Sequence, residues 1–114
     1  MKILVCGGRD YDNRAYVFQV LEMIHEENPI TCVVHGAATG ADSLGQAWAL
    51  SKEISEIPYP AEWDKFKRAA GPIRNAKMLR ENEDIELVVA FPGGSGTGNM
   101  RIKAERAGIE VICL

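Results

Sequence analysis

The sequence predicts an α/β domain in which five parallel strands are covered by helices on both faces. Short apolar runs alternate with stretches of helical periodicity along all 114 residues, and this order requires crossover connections between parallel strands. The second apolar run is continuous rather than alternating, as in a strand that is buried on both faces. The length is that of one domain, so we expect a single folded unit over residues 1–114.

Charge and hydropathy exclude several classes of protein. The chain has 13 basic and 16 acidic residues, a net charge of −3, which argues against binding of nucleic acid through overall charge. The longest apolar runs are short, such as residues 85–91, whereas a membrane span needs roughly 20 residues. The apolar run at residues 3–6 is too short for the core of a signal peptide, so we expect a cytoplasmic protein without a membrane partner.

The first predicted strand covers residues 2–6, and a helix follows over residues 14–27. The inward face of this helix is apolar at helical spacing, with Val17, Val20, Leu21 and Ile24. Asn13 or Asp12 can cap its N-terminus. Pro29 disfavours helix at the preceding residue and therefore ends it.

The second strand is predicted at residues 30–35, and the second helix at residues 41–52. Leu44, Ala47 and Trp48 should face inward from this helix. A weaker third strand over residues 54–59 contains Pro58, which suits an edge position because proline donates no ladder hydrogen bond.

The C-terminal half is predicted to hold two further strands. Residues 61–84 are helical but broken at Gly71 and Pro72, which gives a short helix over 63–69 and a longer one from Pro72. The fourth strand covers residues 85–91. A helix follows over residues 98–107, with Met100, Ala104 and Ala107 facing inward and Gly108 as its C-cap. The last strand covers residues 110–114.

The cysteines and histidines do not form a metal-binding pattern. Cys6, Cys32 and Cys113 are far apart, without Cys-x-x-Cys spacing, and each lies in an apolar run. We therefore expect buried, reduced thiols in strands. His25 and His35 also lack ligand spacing, so we expect no metal site. We expect no bound cofactor either.

Three glycine-rich segments follow predicted strands and hold eight of the 11 glycines. Ligands of open parallel sheets bind beyond the carboxyl ends of the strands, where the strand order reverses. A strand order of 3-2-1-4-5 places that reversal between the first and fourth strands. Each segment also leads into a helix, whose free N–H groups and dipole attract anions. The alternative is that the glycines only form tight turns.

We therefore expect an anionic ligand at this edge of the sheet. The candidate ligand-binding residues in the three segments are Gly7, Gly8, Arg9, Asp10, His35, Gly36, Gly40, Asp42, Pro92, Gly93, Gly94, Ser95, Gly96 and Thr97.

A basic stretch over residues 65–80 offers a cationic partner for the anion. It holds six basic residues and no acidic one, and a solvated helix face explains most of them. Arg74 differs, because it is predicted in a first helical turn, where a cation is unfavourable unless an anion is nearby. With Asn75 it can form a bidentate phosphate clamp.

Each of the other candidates has a structural and a functional interpretation. His35 can donate to a phosphate or sugar, or stabilise a turn. Asp42 suits a helix cap, a ribose contact or a catalytic role, and Asp10 is similar. Trp63 and Tyr59 can stack on a base or fill the core, and we expect the core for one of them.

The standard nucleotide fingerprints are absent. No lysine follows residues 93–98, so a P-loop NTPase is disfavoured. Gly94 and Gly96 are followed by Asn99 where the third glycine of Gly-x-Gly-x-x-Gly would stand, so a standard NAD site is disfavoured as well.

Four segments in this order resemble the SLOG superfamily, which includes the Lonely Guy phosphoribohydrolases and the Smf/DprA-type proteins. They are residues 5–10, 35–42, 71–78 and 91–97. The chain is most similar to the small YspA-like, circularly permuted YpsA-related branch found in phages and bacteria. The resemblance implies a Rossmann-like three-layer fold, a nucleotide-type ligand with its phosphate on the Pro-Gly-Gly-x-Gly-Thr loop, and a homodimer.

The resemblance also implies a possible reaction. Lonely Guy enzymes use glutamates after this loop together with an arginine, which Arg74 matches. Here Gly98, Asn99 and Met100 replace the glutamates. Because loss of a base through an oxocarbenium-like state needs a carboxylate near the sugar, Asp10 or Asp42 would have to act with Arg74.

Three functions follow from these expectations, and the sequence leaves open whether the protein is an enzyme. The first is a nucleotide-binding module that senses or sequesters a nucleotide-derived signal. The second is a phosphoribohydrolase that acts on a nucleoside 5′-monophosphate. The third is nucleic-acid binding through residues 65–80, against which the net negative charge argues.

Overall fold

Five parallel strands form the centre of the fold, in the order β3-β2-β1-β4-β5, as the sequence predicts. The computed structural model describes all 114 residues. The strands are β1 (Lys2–Cys6), β2 (Cys32–His35), β3 (Ser55–Pro58), β4 (Ile85–Ala90) and β5 (Glu110–Cys113). The helices are α1 (Arg14–Glu27), α2 (Ala41–Ser51), α3 (Trp63–Phe66), α4 (Ala70–Glu81) and α5 (Ser95–Arg106), with a 3₁₀ turn over Lys67–Ala69.

Two apolar cores lie on opposite faces of the sheet and make the three layers. On one face, Ile3 and Val5 of β1 pack with residues of α1 and α2 such as Leu21 and Trp48. On the other face, Leu4 belongs to the cluster that includes residues of α4 and α5. Successive strand residues point to opposite faces, so the continuous apolar run of β1 serves both cores.

The register brings the ends of the two central strands together. Cys6 is paired with Ala90, and Leu4 is paired with both Val34 and Val88. The segments that leave β1 and β4 therefore begin side by side, at the point where the strand order reverses. Pro58 lies in β3, at the edge of the sheet, as expected.

Helix α1 has the predicted bounds, and the predicted N-cap is correct for Asn13. The Asn13 side chain accepts a hydrogen bond from the Tyr16 N–H at 3.1 Å. Gly108 follows α5 with a φ of +78°, the left-handed conformation that favours glycine after a helix.

Two predicted helix starts are wrong. Helix α5 begins at Ser95 rather than at residue 98, so Gly96 and Gly98 are helical. Helix α4 begins at Ala70, and the break lies at Lys67, whose φ is +54°. Pro72 is tolerated inside the first turn because the N–H groups there have no partner within the helix.

Two smaller expectations, on Ala107 and on the cysteines, are also wrong. Ala107 is exposed rather than inward, although Met100 and Ala104 are buried as predicted. Cys113 is exposed because β5 is an edge strand, whereas Cys32 is buried and Cys6 is half-buried.

None of the helices has the length and hydropathy needed to cross a lipid bilayer.

Candidate functional site

A cleft of about 1020 Å³ lies at the carboxyl ends of the central strands. The segments after β1 and β4 line it, together with the start of α4 and part of the segment after β2. All of the predicted ligand-binding residues line this cleft except His35 and Gly40. Trp63, Arg68 and Asn99 line it as well. The sequence placed Arg68 in the basic stretch but gave no reason to separate it from its neighbours.

Backbone contacts hold the three glycine-rich segments together. The Gly8 N–H donates to the Pro92 carbonyl at 2.8 Å, and the Ala41 N–H donates to the Gly8 carbonyl at 3.1 Å. Gly40 has a φ of +77°, and a Cβ there would overlap the Gly8 carbonyl. A Cβ on Gly93 would lie 2.6 Å from the Gly8 nitrogen. The backbone segments can approach this closely only where no Cβ lies between them, so Gly40 and Gly93 have a packing role.

The N-terminus of α5 presents free backbone donors at the cleft. The first backbone hydrogen bond of this helix runs from the Gly98 N–H to the Gly94 carbonyl, at 3.0 Å. The N–H groups of the three preceding residues therefore lack a partner within the helix. No side chain caps this end, and its first turn has no acidic residue. Donors and dipole together favour an anion at this position.

Asn75 links α4 to this helix terminus. Its buried side-chain Nδ2 donates to the Gly96 carbonyl at 3.2 Å and to Asn99 Oδ1 at 3.1 Å. Its Oδ1 accepts from Arg74 Nε at 3.0 Å. Because both ends of the amide are bonded within the protein, Asn75 orients Arg74 and the start of α5.

The Arg74 guanidinium is half-buried in the cleft without an acidic partner. Its Nη1 donates to the Gly36 carbonyl at 2.5 Å and to the Tyr59 carbonyl at 3.3 Å. Nη2 makes no hydrogen bond within the chain, and no carboxylate oxygen lies within 4.0 Å of the group. Burial lowers the pKa of Arg74, an effect that the charge of Asp42 opposes. A cation in this setting gains from a bound anion.

Asp42 is a buried carboxylate on the first turn of α2. Its Oδ2 accepts hydrogen bonds from the Gly36 N–H at 3.1 Å and the Ala38 N–H at 3.3 Å, which fix the segment after β2. Burial raises the pKa of Asp42, while the Ala38 hydrogen bond and the Arg74 charge oppose the rise. Oδ1 makes no hydrogen bond within the chain, so one oxygen remains for a ligand.

Two further arginines give the cleft a cationic character. Arg9 and Arg68 line it, and neither has a carboxylate within 4.0 Å. The Arg9 guanidinium lies over the Trp63 ring, 4.6 Å from its centroid. Asp10 is an exposed acidic residue of the same cleft. The other four basic residues of the 65–80 stretch do not line it.

His35 lies outside the lining of the cleft and is fully buried at the end of β2. Its Nδ1 accepts from the Ala37 N–H at 3.0 Å, and its Nε2 lies 2.6 Å from Glu56 Oε1. These contacts fix Ala37, whose φ is +56°. Both ring nitrogens are engaged in holding the turn after β2 against β3.

Comparisons with known proteins identify the family of this chain. The model of the YspA, cpYpsA-related SLOG family matches residues 1–66, which include the segments after β1 and β2. The chain is also 34% identical over 119 aligned residues to the Gene 61 protein of Mycobacterium phage D29, an alignment that covers 97% of this chain and 94% of the phage protein. The chain therefore belongs to the YspA, cpYpsA-related SLOG family.

Proposed function

We propose that this protein binds a nucleotide or a nucleotide-derived molecule in the cleft, with a phosphate between the α5 N-terminus and Arg74. The unpaired guanidinium of Arg74 is the observation that carries the proposal. It lines the same cleft as the uncapped helix terminus, and both favour a bound anion. A module of this kind would sense or sequester its ligand.

The chemistry of the lining favours phosphate among anions. Free N–H groups at a helix start and a guanidinium edge offer several donors to one group, and a phosphate has enough oxygens to accept them all. Arg9 and Arg68 add positive charge to the same cleft. The bound phosphate would thus offset three cations that lack carboxylate partners within the chain.

The test is calorimetric titration with the four ribonucleoside 5′-monophosphates, ADP-ribose and NAD. Arg74→Ala should weaken binding by about 2–5 kcal/mol, the usual cost of truncating one partner of a buried charged pair. Arg80→Ala is the matched control, because Arg80 is an exposed residue of α4 outside the cleft. The proposal fails if no compound binds, or if Arg74→Ala and Arg80→Ala bind with equal affinity.

A phosphoribohydrolase is the alternative, and Asp42 is the observation that favours it. A buried carboxylate with a raised pKa and one unbonded oxygen lines the same cleft as the proposed phosphate site. In this alternative Asp42 or Asp10 would stabilise the oxocarbenium-like sugar or activate a water, and Arg74 would hold the phosphate. Water adds to the anomeric carbon as the N-glycosidic bond breaks, and the base leaves with a proton.

Chromatography of the products distinguishes the two functions. An enzyme should release free base and ribose 5-phosphate from a nucleoside 5′-monophosphate, and Asp42→Asn combined with Asp10→Asn should abolish the release. If the wild-type protein and this double variant give the same background rate, the hydrolase alternative is wrong and the binding proposal stands.

We also propose a homodimer, on the strength of the resemblance to the superfamily. Size-exclusion chromatography with light-scattering detection should give about twice the mass of one chain. A single-chain mass at high protein concentration would contradict the dimer without affecting the cleft.

A further inference from the structure

An exposed tryptophan lines the cleft beside the proposed phosphate site. Trp63 begins α3 and remains 43% exposed, whereas Trp48, the other tryptophan, is fully buried. Tyr59 has a different position, because it packs against the apolar core and its hydroxyl bonds to Glu81 and Asn82. The indole of Trp63 is thus a π surface that the core does not use.

Neighbouring residues hold this ring at the rim. A Cβ on Gly71, in the first turn of α4, would lie 3.5 Å from Cη2 of Trp63, so the indole packs closely over that turn. The Arg9 guanidinium lies over the ring at 4.6 Å from its centroid. Trp63 and Arg9 also line a second hollow of about 280 Å³, next to the cleft.

Arg9 connects the ring to the phosphate site. It follows Gly8, whose N–H bonds to the Pro92 carbonyl at the start of the segment that leads into α5. A guanidinium is planar and stacks on an aromatic face in the way a nucleobase does. The ring therefore already accepts one flat group, the guanidinium of Arg9, at the cleft.

We propose that Trp63 is the base-stacking residue of this cleft, which makes the ligand class a nucleotide with an intact base rather than a sugar phosphate. The base takes the place of the Arg9 guanidinium on the indole, and Arg9 turns to the phosphate. This inference rests on the proposed nucleotide site. Stacking tolerates any base, because each has a π face, so the subsite selects for the presence of a base.

The experiment compares ribose 5-phosphate with the four ribonucleoside 5′-monophosphates. At least one nucleotide should bind roughly fivefold to a hundredfold more tightly than ribose 5-phosphate, which corresponds to the usual contribution of one stacked base. Nucleotide binding should quench tryptophan emission, since Trp63 is the accessible fluorophore. Ribose 5-phosphate should leave the emission unchanged.

Variants separate the base subsite from the phosphate site. Trp63→Ala should lower nucleotide affinity to that of ribose 5-phosphate and leave ribose 5-phosphate binding unchanged. Trp63→Phe should keep most of the affinity and lose the quenching. Tyr16→Ala is the matched control, because it removes an exposed aromatic ring outside the cleft.

Each outcome decides between the proposals. If ribose 5-phosphate binds as tightly as every nucleotide, or if Trp63→Ala keeps the difference, the stacking role is wrong and the phosphate site stands. If none of these ligands binds, the stacking proposal fails, and the phosphate site fails with it if ADP-ribose and NAD do not bind either. If single-stranded DNA binds far more tightly than any nucleotide and depends on Trp63, the ligand is a nucleic acid and the assignment to a nucleotide is overturned.

Discussion

At the scale of single residues, the cleft is organised around the peptide units of Gly36. Its carbonyl accepts from Arg74 Nη1, and its N–H donates to Asp42 Oδ2. The two charged groups therefore share one backbone residue, although no ion pair within 4.0 Å joins them. Each side chain keeps one polar atom for a ligand: Nη2 of the arginine and Oδ1 of the aspartate.

The raised pKa of Asp42 predicts a pH-dependent stability. An acid whose pKa is higher in the folded state binds its proton more tightly there, so the free energy of unfolding falls as pH rises from the ordinary value near 3.8 through the folded-state pKa. Asp42→Asn removes this loss and keeps an oxygen for the backbone N–H groups. The Tm of the variant should therefore rise relative to the Tm of the wild type as the pH increases above about 4.

Thermal unfolding over this pH range tests the prediction. Glu105→Gln in α5 is the control, since that carboxylate is exposed and outside the cleft. A Tm difference between wild type and Asp42→Asn that stays constant with pH would show that the buried carboxylate does not destabilise the fold.

Gly36 itself should be more important for binding than for stability. An alanine Cβ there would lie 2.7 Å from the guanidinium carbon of Arg74 and 2.8 Å from Asp42 Oδ2. Both are ends of side chains, which can shift, so Gly36→Ala should cost about 1–3 kcal/mol of stability. Nucleotide affinity should fall at least tenfold, because the guanidinium moves. Unchanged affinity in calorimetry would mean that the position of Arg74 does not matter.

At the scale of elements, the helix starts are where the sequence prediction failed. Glycine is a poor helix former, so the four glycines of residues 93–98 predicted a loop up to Gly98. In the structure α5 starts at Ser95, with Asn75 bonded to the carbonyl of Gly96. A tertiary contact thus supports a helix start that local propensity disfavours, and the free N–H groups belong to residues 95–97.

Two glycine substitutions separate helix propensity from packing. Gly98 is helical, has open space at its Cβ and does not line the cleft. Gly98→Ala should raise stability by roughly 0.5–1 kcal/mol, the usual difference between these residues in a helix. Gly40→Ala should instead destabilise the protein by more than that, because its φ is +77° and a Cβ would meet the backbone of Gly8 and Arg9.

Urea unfolding of both variants provides the measurement. Equal effects at the two positions would show that the backbone contact at Gly40 is not needed to join the segments after β1 and β2. Nucleotide binding by Gly98→Ala should match that of the wild type.

At the scale of the whole molecule, ligand binding should stabilise the fold. A ligand that binds only the folded state adds about 2.7 kcal/mol at a concentration of 100 Kd. For a domain of this length that corresponds to a rise in Tm of about 10 °C. A thermal-shift series with a bound nucleotide tests this for the wild type, and Arg74→Ala at the same concentration should show a much smaller rise. An equal rise in both would place the ligand elsewhere.

The sequence by itself determined the class of fold, the order of elements and the edge of the sheet where the glycines lie. It could do so because hydrophobic periodicity and chain connectivity can be read directly from the order of residues along the chain. Only the tertiary structure decided which charged groups are left without partners. Arg74 bonds to Gly36, and Asn75 bonds to Gly96 and Asn99, which are all far away along the chain. These hydrogen bonds depend on how α4 packs beside β2 and α5. The sequence left two interpretations open for Trp63 and for His35, and only the structure showed that Trp63 is exposed at the cleft and that His35 is buried and supports a turn.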